Sequence, residues 1–192
     1  MRTGMPVTAM LGLGLMVFGC TGAAKDKPPL TVVDSVNLDR YLGTWYEIAS
    51  YPAWFQKGCI GSKAEYTLLP DGKIQVVNRC RKDSLDGPLK EAKGKAEVVD
   101  TASNAKLRVG FFWPLKGNYW IIDLNRDYQW AVVGEPSRKY LWILSRTPTM
   151  KETVYQDILA RLPQKGYDPD LLRRTVQVDE AKENESGHSK EN

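Results

Sequence analysis

The residues with the sharpest chemistry in this chain are three cysteines, Cys20, Cys59 and Cys80, and one histidine, His188. A cysteine nucleophile needs a base beside it to remove its proton. His188 stands far from all three in sequence, in the charged stretch "DEAKENESGHSKEN". No serine occupies a Gly-x-Ser-x-Gly turn, and no His, Cys, Asp and Glu cluster has the spacing of a metal-ligand set. An enzyme reading therefore survives only if Cys59 or Cys80 is a free thiol. No catalytic residue, metal site or cofactor is assigned.

The surroundings of the cysteines suggest other roles. Arg2 is followed by the apolar run "MLGLGLMVFG", Met10 to Gly19, which is too short to span a bilayer. Cys20 and a small, polar, Pro-containing stretch come next. This is the pattern of a secretory signal that is removed. An exported chain meets an oxidising compartment, where paired cysteines bridge. Between Cys59 and Cys80 lies "TLLPDGKI", whose Pro70-Asp71-Gly72 is a turn signal. The two cysteines thus flank a hairpin at its open end and are expected to form a disulfide.

The chain has 192 residues, 42% hydrophobic and 26% charged, with a net charge of +4. Such a length holds one domain with a sizeable core. No Lys/Arg run is long enough to suggest a nucleic-acid partner.

The elements that must position any site are short alternating segments separated by turn residues. They are Thr44–Ser50, Ser62–Leu69, Lys73–Cys80, Lys90–Asp100, Lys106–Trp113, Asn118–Asn125, Trp130–Pro136 and Lys139–Thr147. A helix follows, with Thr149 as expected cap, Glu152 as its capping-box partner, and an apolar stripe of Val154, Ile158, Leu159 and Leu162. Lys165-Gly166 closes it, and Leu172–Val178 reads as a short final strand. The fold class is all-β: an eight-stranded antiparallel up-and-down barrel with one C-terminal α-helix and a short final strand. Closure removes the sheet edges, and eight strands leave room for one small ligand.

"GTWYEIASYPAWFQKGC", Gly43 to Cys59, is unusually aromatic. Strand alternation from Trp45 points Glu47 and Ala49 inward. Matched strands add Ala64, Tyr66 and Leu68; Ile74, Val76 and Asn78; Gly94, Ala96 and Val98. Leu107, Val109 and Phe111; Tyr119, Ile121 and Asp123; Ala131 and Val133; and Tyr140, Trp142 and Leu144 complete the lining. It is apolar and aromatic, with small residues such as Gly94 leaving space for a ligand. Glu47, Asn78, Arg79 and Asp123 lie in or beside the lumen, either to orient a polar head group or to pair with one another. Tyr51, Trp54 and Phe55 follow the first strand, at the mouth, with Phe112-Trp113-Pro114 at the same end. Aromatics there can close over a ligand, touch a membrane or pack on the rim.

With these motifs in order, the chain resembles the lipocalin family. "NLDRYLGTWYEIA" carries Gly43-x-Trp45, "DLNRDYQWAVV" carries Asp127-Tyr128, and "LWILSRTP" carries Arg146, with the helix directly after. The resemblance covers residues 36–178 and is strongest to the bacterial outer-membrane branch and its apolipoprotein D-like and plant temperature-induced relatives. It implies that Gly43, Trp45 and Arg146 form the structural base of the barrel, with Arg146 stacked across Trp45. It implies a carrier or store for fatty acids or lysophospholipids; the alternation and the mouth aromatics make Trp54, Phe55, Tyr66, Val76, Asn78, Phe111, Tyr119 and Trp142 the residues expected to bind them. "VFGC", Val17 to Cys20, resembles a bacterial lipobox, which implies lipidation of Cys20 and anchoring on the periplasmic face of the outer membrane. The expected organisation is a signal peptide, 1–19; a flexible tether, 20–35; the barrel domain, 36–178; and a disordered tail, 179–192. A homodimer is left open. The competing readings are an envelope interaction lipoprotein and a lipocalin-type enzyme.

Overall fold

The computed structural model describes residues 28–112 and 115–177. The signal segment, Cys20, Trp113-Pro114, Val178 and the tail lie outside the described residues. Eight strands follow one another around a barrel: β1 (Gly43–Ser50), β2 (Cys59–Leu68), β3 (Ile74–Lys82), β4 (Leu89–Val98), β5 (Lys106–Phe112), β6 (Leu115–Leu124), β7 (Trp130–Gly134) and β8 (Leu141–Ser145). Each pairs antiparallel with the next, and β1 closes the barrel by pairing both β8 and β2.

Before β1, the single turn α1 (Leu38–Tyr41) plugs one end, capped by the Asn37 side chain on the Arg40 amide. After β8, α2 (Glu152–Arg161) packs on the outside of the barrel. Tyr155 and Ile158 are its buried face, continued by Leu162 just past its end, over Ile48, Ala49, Ile122, Val132 and Ile143. The expected cap differs. Lys151 precedes the helix without a side-chain cap bond, and the Thr149 carbonyl accepts from Thr147 Oγ1 at 2.7 Å. The Glu152 carboxylate instead accepts from Gln156 and from Arg174 Nη2, at 2.7 and 2.6 Å, tying the helix to the C-terminal strand. Gly166, at φ +77°, ends the helical region as expected.

The final strand is shorter than expected. β9 (Arg173–Arg174) pairs with Ala49 and Ser50 of β1, where β2 has already parted from that edge. Thr175 N donates to Ile48 O, and Gly61 N donates to Val176 O. The segment thus joins the diverging ends of β1 and β2.

Residues 28–35, read from sequence as tether, run along the barrel. Arg138 Nη2 holds the Pro28 carbonyl at 2.6 Å, beside the β7–β8 loop. Leu30 is buried under α2, and Val33 N donates to Ile121 O.

Cys59 and Cys80 are bonded, with Cα atoms 5.4 Å apart. Replacing both by serine is expected to lower stability by about 3 kcal/mol, since the bridge restricts the unfolded chain. Urea denaturation of the double variant measures this; a change below about 1 kcal/mol would contradict it.

Candidate functional site

The barrel has a closed end built by its own sequence. Trp45 is fully buried, and its indole nitrogen donates to Tyr41 O at 2.8 Å. Arg146, just past β8, lies with its guanidinium carbon 3.8 Å from the Trp45 ring centroid. Its three nitrogens donate to the carbonyls of Tyr128, Thr44 and Arg40, at 3.2, 2.9 and 2.6 Å. A planar fork does both tasks at once; a lysine ammonium cannot. Gly43 turns β1 into this plug at φ +87°.

Above the plug, three phenols meet. Tyr119 Oη lies 2.7 Å from Tyr41 Oη and 3.0 Å from Tyr66 Oη. Burial pushes the Tyr66 hydroxyl up to about 12 and raises those of Tyr41 and Tyr119 as well. The folded state therefore keeps protons that unfolded tyrosines release near pH 10. Their contribution is complete below about pH 10 and is lost as pH rises toward 12. Melting temperature against pH, followed with phenolate absorbance, is expected to fall over that window. Phenolate absorbance from all nine tyrosines near pH 10 in a folded protein would contradict it.

The walls come from strand alternation, with two corrections. Between Glu47 and Ala49, β1 has an extra residue opposite β8. Glu47 faces Leu144 and the lumen, but Ala49 faces Ile143 and the helix. A second bulge lies between Ile121 and Asp123. It turns Asp123 outward, where its carboxylate accepts from Arg161 Nε of α2 at 2.8 Å. A bulge shifts every later side chain to the opposite face, so a strict two-residue period misplaces both. Arg79 also points outward and pairs with Glu65 and Glu91, each at 2.8 Å. Tyr51 is not at the mouth: it is buried under the helix end, its hydroxyl donating to Asp168 O at 2.7 Å. Gly94 leaves no gap, because the Phe111 ring lies against it; a Cβ there would stand 2.8 Å from Phe111 Cδ1.

Of the residues expected to touch ligand, Tyr66 and Val76 are buried in the floor. Phe111, Tyr119 and Trp142 share the same inner cluster higher up and are half-buried. Asn78 lies on the inward face of β3 with Ile74 and Val76, yet is exposed. Phe55 closes on the rim, its ring 5.5 Å from Tyr140 and 6.5 Å from Trp142. Trp54 stands outside, 81% exposed, edge-on to Phe55 at 5.6 Å.

A polar chain crosses the mouth. Trp142 Nε1 donates to Gln56 Oε1 at 3.0 Å, and Gln56 Nε2 donates to Glu47 Oε2 at 2.7 Å. Ser50 and Thr175 hydroxyls donate to Glu47 Oε1 at 3.0 and 2.5 Å. Gln177 Nε2 donates to the carbonyls of Glu47 and Ser62. Sequence reading missed Gln56, Thr175 and Gln177, which belong to a turn and a C-terminal segment with no pattern of their own. Tyr41 was also missed: it ends the single turn α1, and only the fold brings its ring against Trp45 and its hydroxyl to Tyr119. Among the described residues no group of three His, Cys, Asp or Glu side chains is placed to hold a metal, and no helix is long and apolar enough to cross a membrane.

Comparison with known proteins agrees with this architecture. Residues 36–177 match the lipocalin-like domain family. Temperature-induced lipocalin-1 of Arabidopsis thaliana is 41% identical over 163 residues, covering 80% of this chain and 86% of the relative. Outer membrane lipoprotein Blc of Escherichia coli K12 is 39% identical over 166 residues, covering 85% and 92%. Apolipoprotein D of Mus musculus is 34% identical over 162 residues, covering 79% and 82%. Among solved structures, insecticyanin from the tobacco hornworm Manduca sexta superposes with a TM-score of 0.65 at 18% identity, covering 80% of this chain and 87% of that one. At that identity the likeness concerns the fold alone. With the barrel, the Trp45–Arg146 base and these relatives together, the chain belongs to the lipocalin family.

Proposed function

We propose that this protein binds and carries or stores small hydrophobic molecules, fatty acids or lysophospholipids foremost, inside the barrel. The observation that carries this reading is the gradient along the inward face. Low in the barrel, Trp45, Ile74, Val76, Leu107 and Ile121 are buried. Higher up, the inward Ala64, Asn78, Phe111 and Trp142 are half-buried or exposed, whereas Glu47 beside them is buried among polar partners. A lumen packed solid would bury both tiers alike. An apolar wall with a few polar groups suits an amphiphile. Each Å² of acyl chain removed from water contributes about 25 cal/mol, enough for micromolar binding by a long chain.

Tethering to the periplasmic face of the outer membrane through a lipidated Cys20 completes the proposal. The relatives named outer membrane lipoproteins support it. Covalent geometry adds an orientation: the chain from Cys20 to Pro28 reaches at most about 28 Å. Pro28 is held by Arg138 in the loop at the open end, so the anchor would keep the mouth near the membrane surface.

Mass spectrometry of lipid extracted from the purified protein, followed by titration with palmitic acid and lysophospholipid, tests the carrier reading. Saturable binding is expected; none with either would overturn it. Incorporation of labelled palmitate, lost in Cys20→Ser, tests the anchor separately.

A further inference from the structure

We propose that a pocket beside the mouth seats the ammonium group of an amine-bearing amphiphile, with Glu47 as its counter-charge. The inference rests on the carrier reading and narrows its ligand to amine-bearing lysophospholipids.

The pocket has a volume of about 470 Å³ and lies between the turn at 52–57, the start of β2 and the strand at 173–176. Glu47, Ser50, Gln56, Ser62 and Thr175 give it a polar inner wall. Glu47 is 7% exposed and accepts three side-chain hydrogen bonds, all from neutral donors: Ser50, Thr175 and Gln56. Among the described residues no Lys, Arg or His pairs with it. A buried carboxylate without a cation is costly unless something else compensates it. A carboxylate offers about four acceptor positions, so one remains open here. The indole of Trp54, also lining the pocket, adds a surface that attracts cations.

The rim has the opposite sign. Lys57 and Arg173 line the same pocket, and neither is paired with a carboxylate among the described residues. Arg173 Nη1 donates only to the carbonyls of Asp170 and Leu172, at 3.2 Å each. Arg174 is different: Glu152 binds it at 2.6 Å, and it stacks on Tyr155 at 3.7 Å. One negative inner group beneath two unpaired positive ones complements an amine joined to a phosphate. The lumen begins across Gln56, whose amide links Glu47 to Trp142. One molecule can therefore place its acyl chain in the barrel and its head in the pocket. A free fatty acid leaves the pocket unused.

The test compares lysophosphatidylethanolamine, lysophosphatidic acid and palmitic acid, using the chain from Thr21 on, which contains the whole barrel, helix and N-terminal strap. Quenching of tryptophan emission reads affinity. The parent is expected to prefer the amine-bearing lysolipid to lysophosphatidic acid by about tenfold, the scale of one buried charge contact. Glu47→Gln keeps the shape and is expected to remove that preference, weakening the amine-bearing lysolipid about tenfold more than lysophosphatidic acid. Thr175→Val loses a hydrogen bond to Glu47 but keeps the charge, so it should keep the preference even if its melting temperature falls. Equal affinities in the parent, or an unchanged preference in Glu47→Gln, would overturn the inference and leave the carrier reading standing. No binding of any of the three would overturn both.

Discussion

Trp45→Ala is expected to destabilise the protein by about 3–5 kcal/mol, the range for emptying a buried large aromatic site. The indole is fully buried, lies 5.0 Å from the Tyr41 ring, and carries the Arg146 guanidinium on its other face. Removing it leaves a cavity, strands the Tyr41 carbonyl and releases an arginine already held by three carbonyls. Arg146→Lys is a milder form of the same experiment. It keeps the charge but loses the planar stack, worth about 0.5–2 kcal/mol, and most of the bonds to Arg40, Thr44 and Tyr128. Denaturant unfolding of both variants measures the effect. A Trp45→Ala protein with parental stability and lost ligand binding would make Trp45 a ligand contact, contrary to its place in the base.

Asn78→Trp should abolish binding of a long acyl chain, by at least about tenfold, with little loss of stability. Asn78 is exposed, shares its face with Ile74 and Val76, and sits across from Ala64 and Ala92. An indole added there enters space that no buried side chain occupies, so overpacking is mild. Surface-type substitutions usually stay within about 0.5 kcal/mol. Ligand titration beside thermal melting separates the two effects. Unchanged affinity would show that the chain does not enter the barrel past β3. A large loss of stability would show that the upper lumen is packed solid.

Much of this molecule is legible in its amino acids. Eight alternating segments, a late helix and the trio Trp45, Tyr128 and Arg146 specify the barrel because they report local periods and sharp turns. Pro70-Asp71-Gly72 places Cys59 and Cys80 within bonding reach, because a hairpin aligns residues on either side of its turn. Other features had no local signature. Thr149 and Glu152 have the spacing of a capping box, yet α2 begins at Glu152 itself with Lys151 in the cap position, and the Glu152 carboxylate binds Arg174. Gly94 looks like open space until Phe111 of the neighbouring strand covers it.

Read alone, the chain specifies the fold class, the disulfide and the apolar character of the interior. Those depend on residue type and on periods of two or 3.6, which neighbours in sequence set. The tertiary structure decided which polar groups serve the lumen. The bulge after Glu47 keeps that carboxylate inside while sending Ala49 to the helix, and the bulge before Asp123 sends it out to Arg161. Both arise because a closed, twisted barrel must bend its strands against a helix. A linear pattern carries no record of that constraint. Thr175 likewise meets Glu47 only because the C-terminal segment folds back beside β1, 128 positions from Glu47 to Thr175, and Gln56 meets it because the turn after β1 doubles back over the strand.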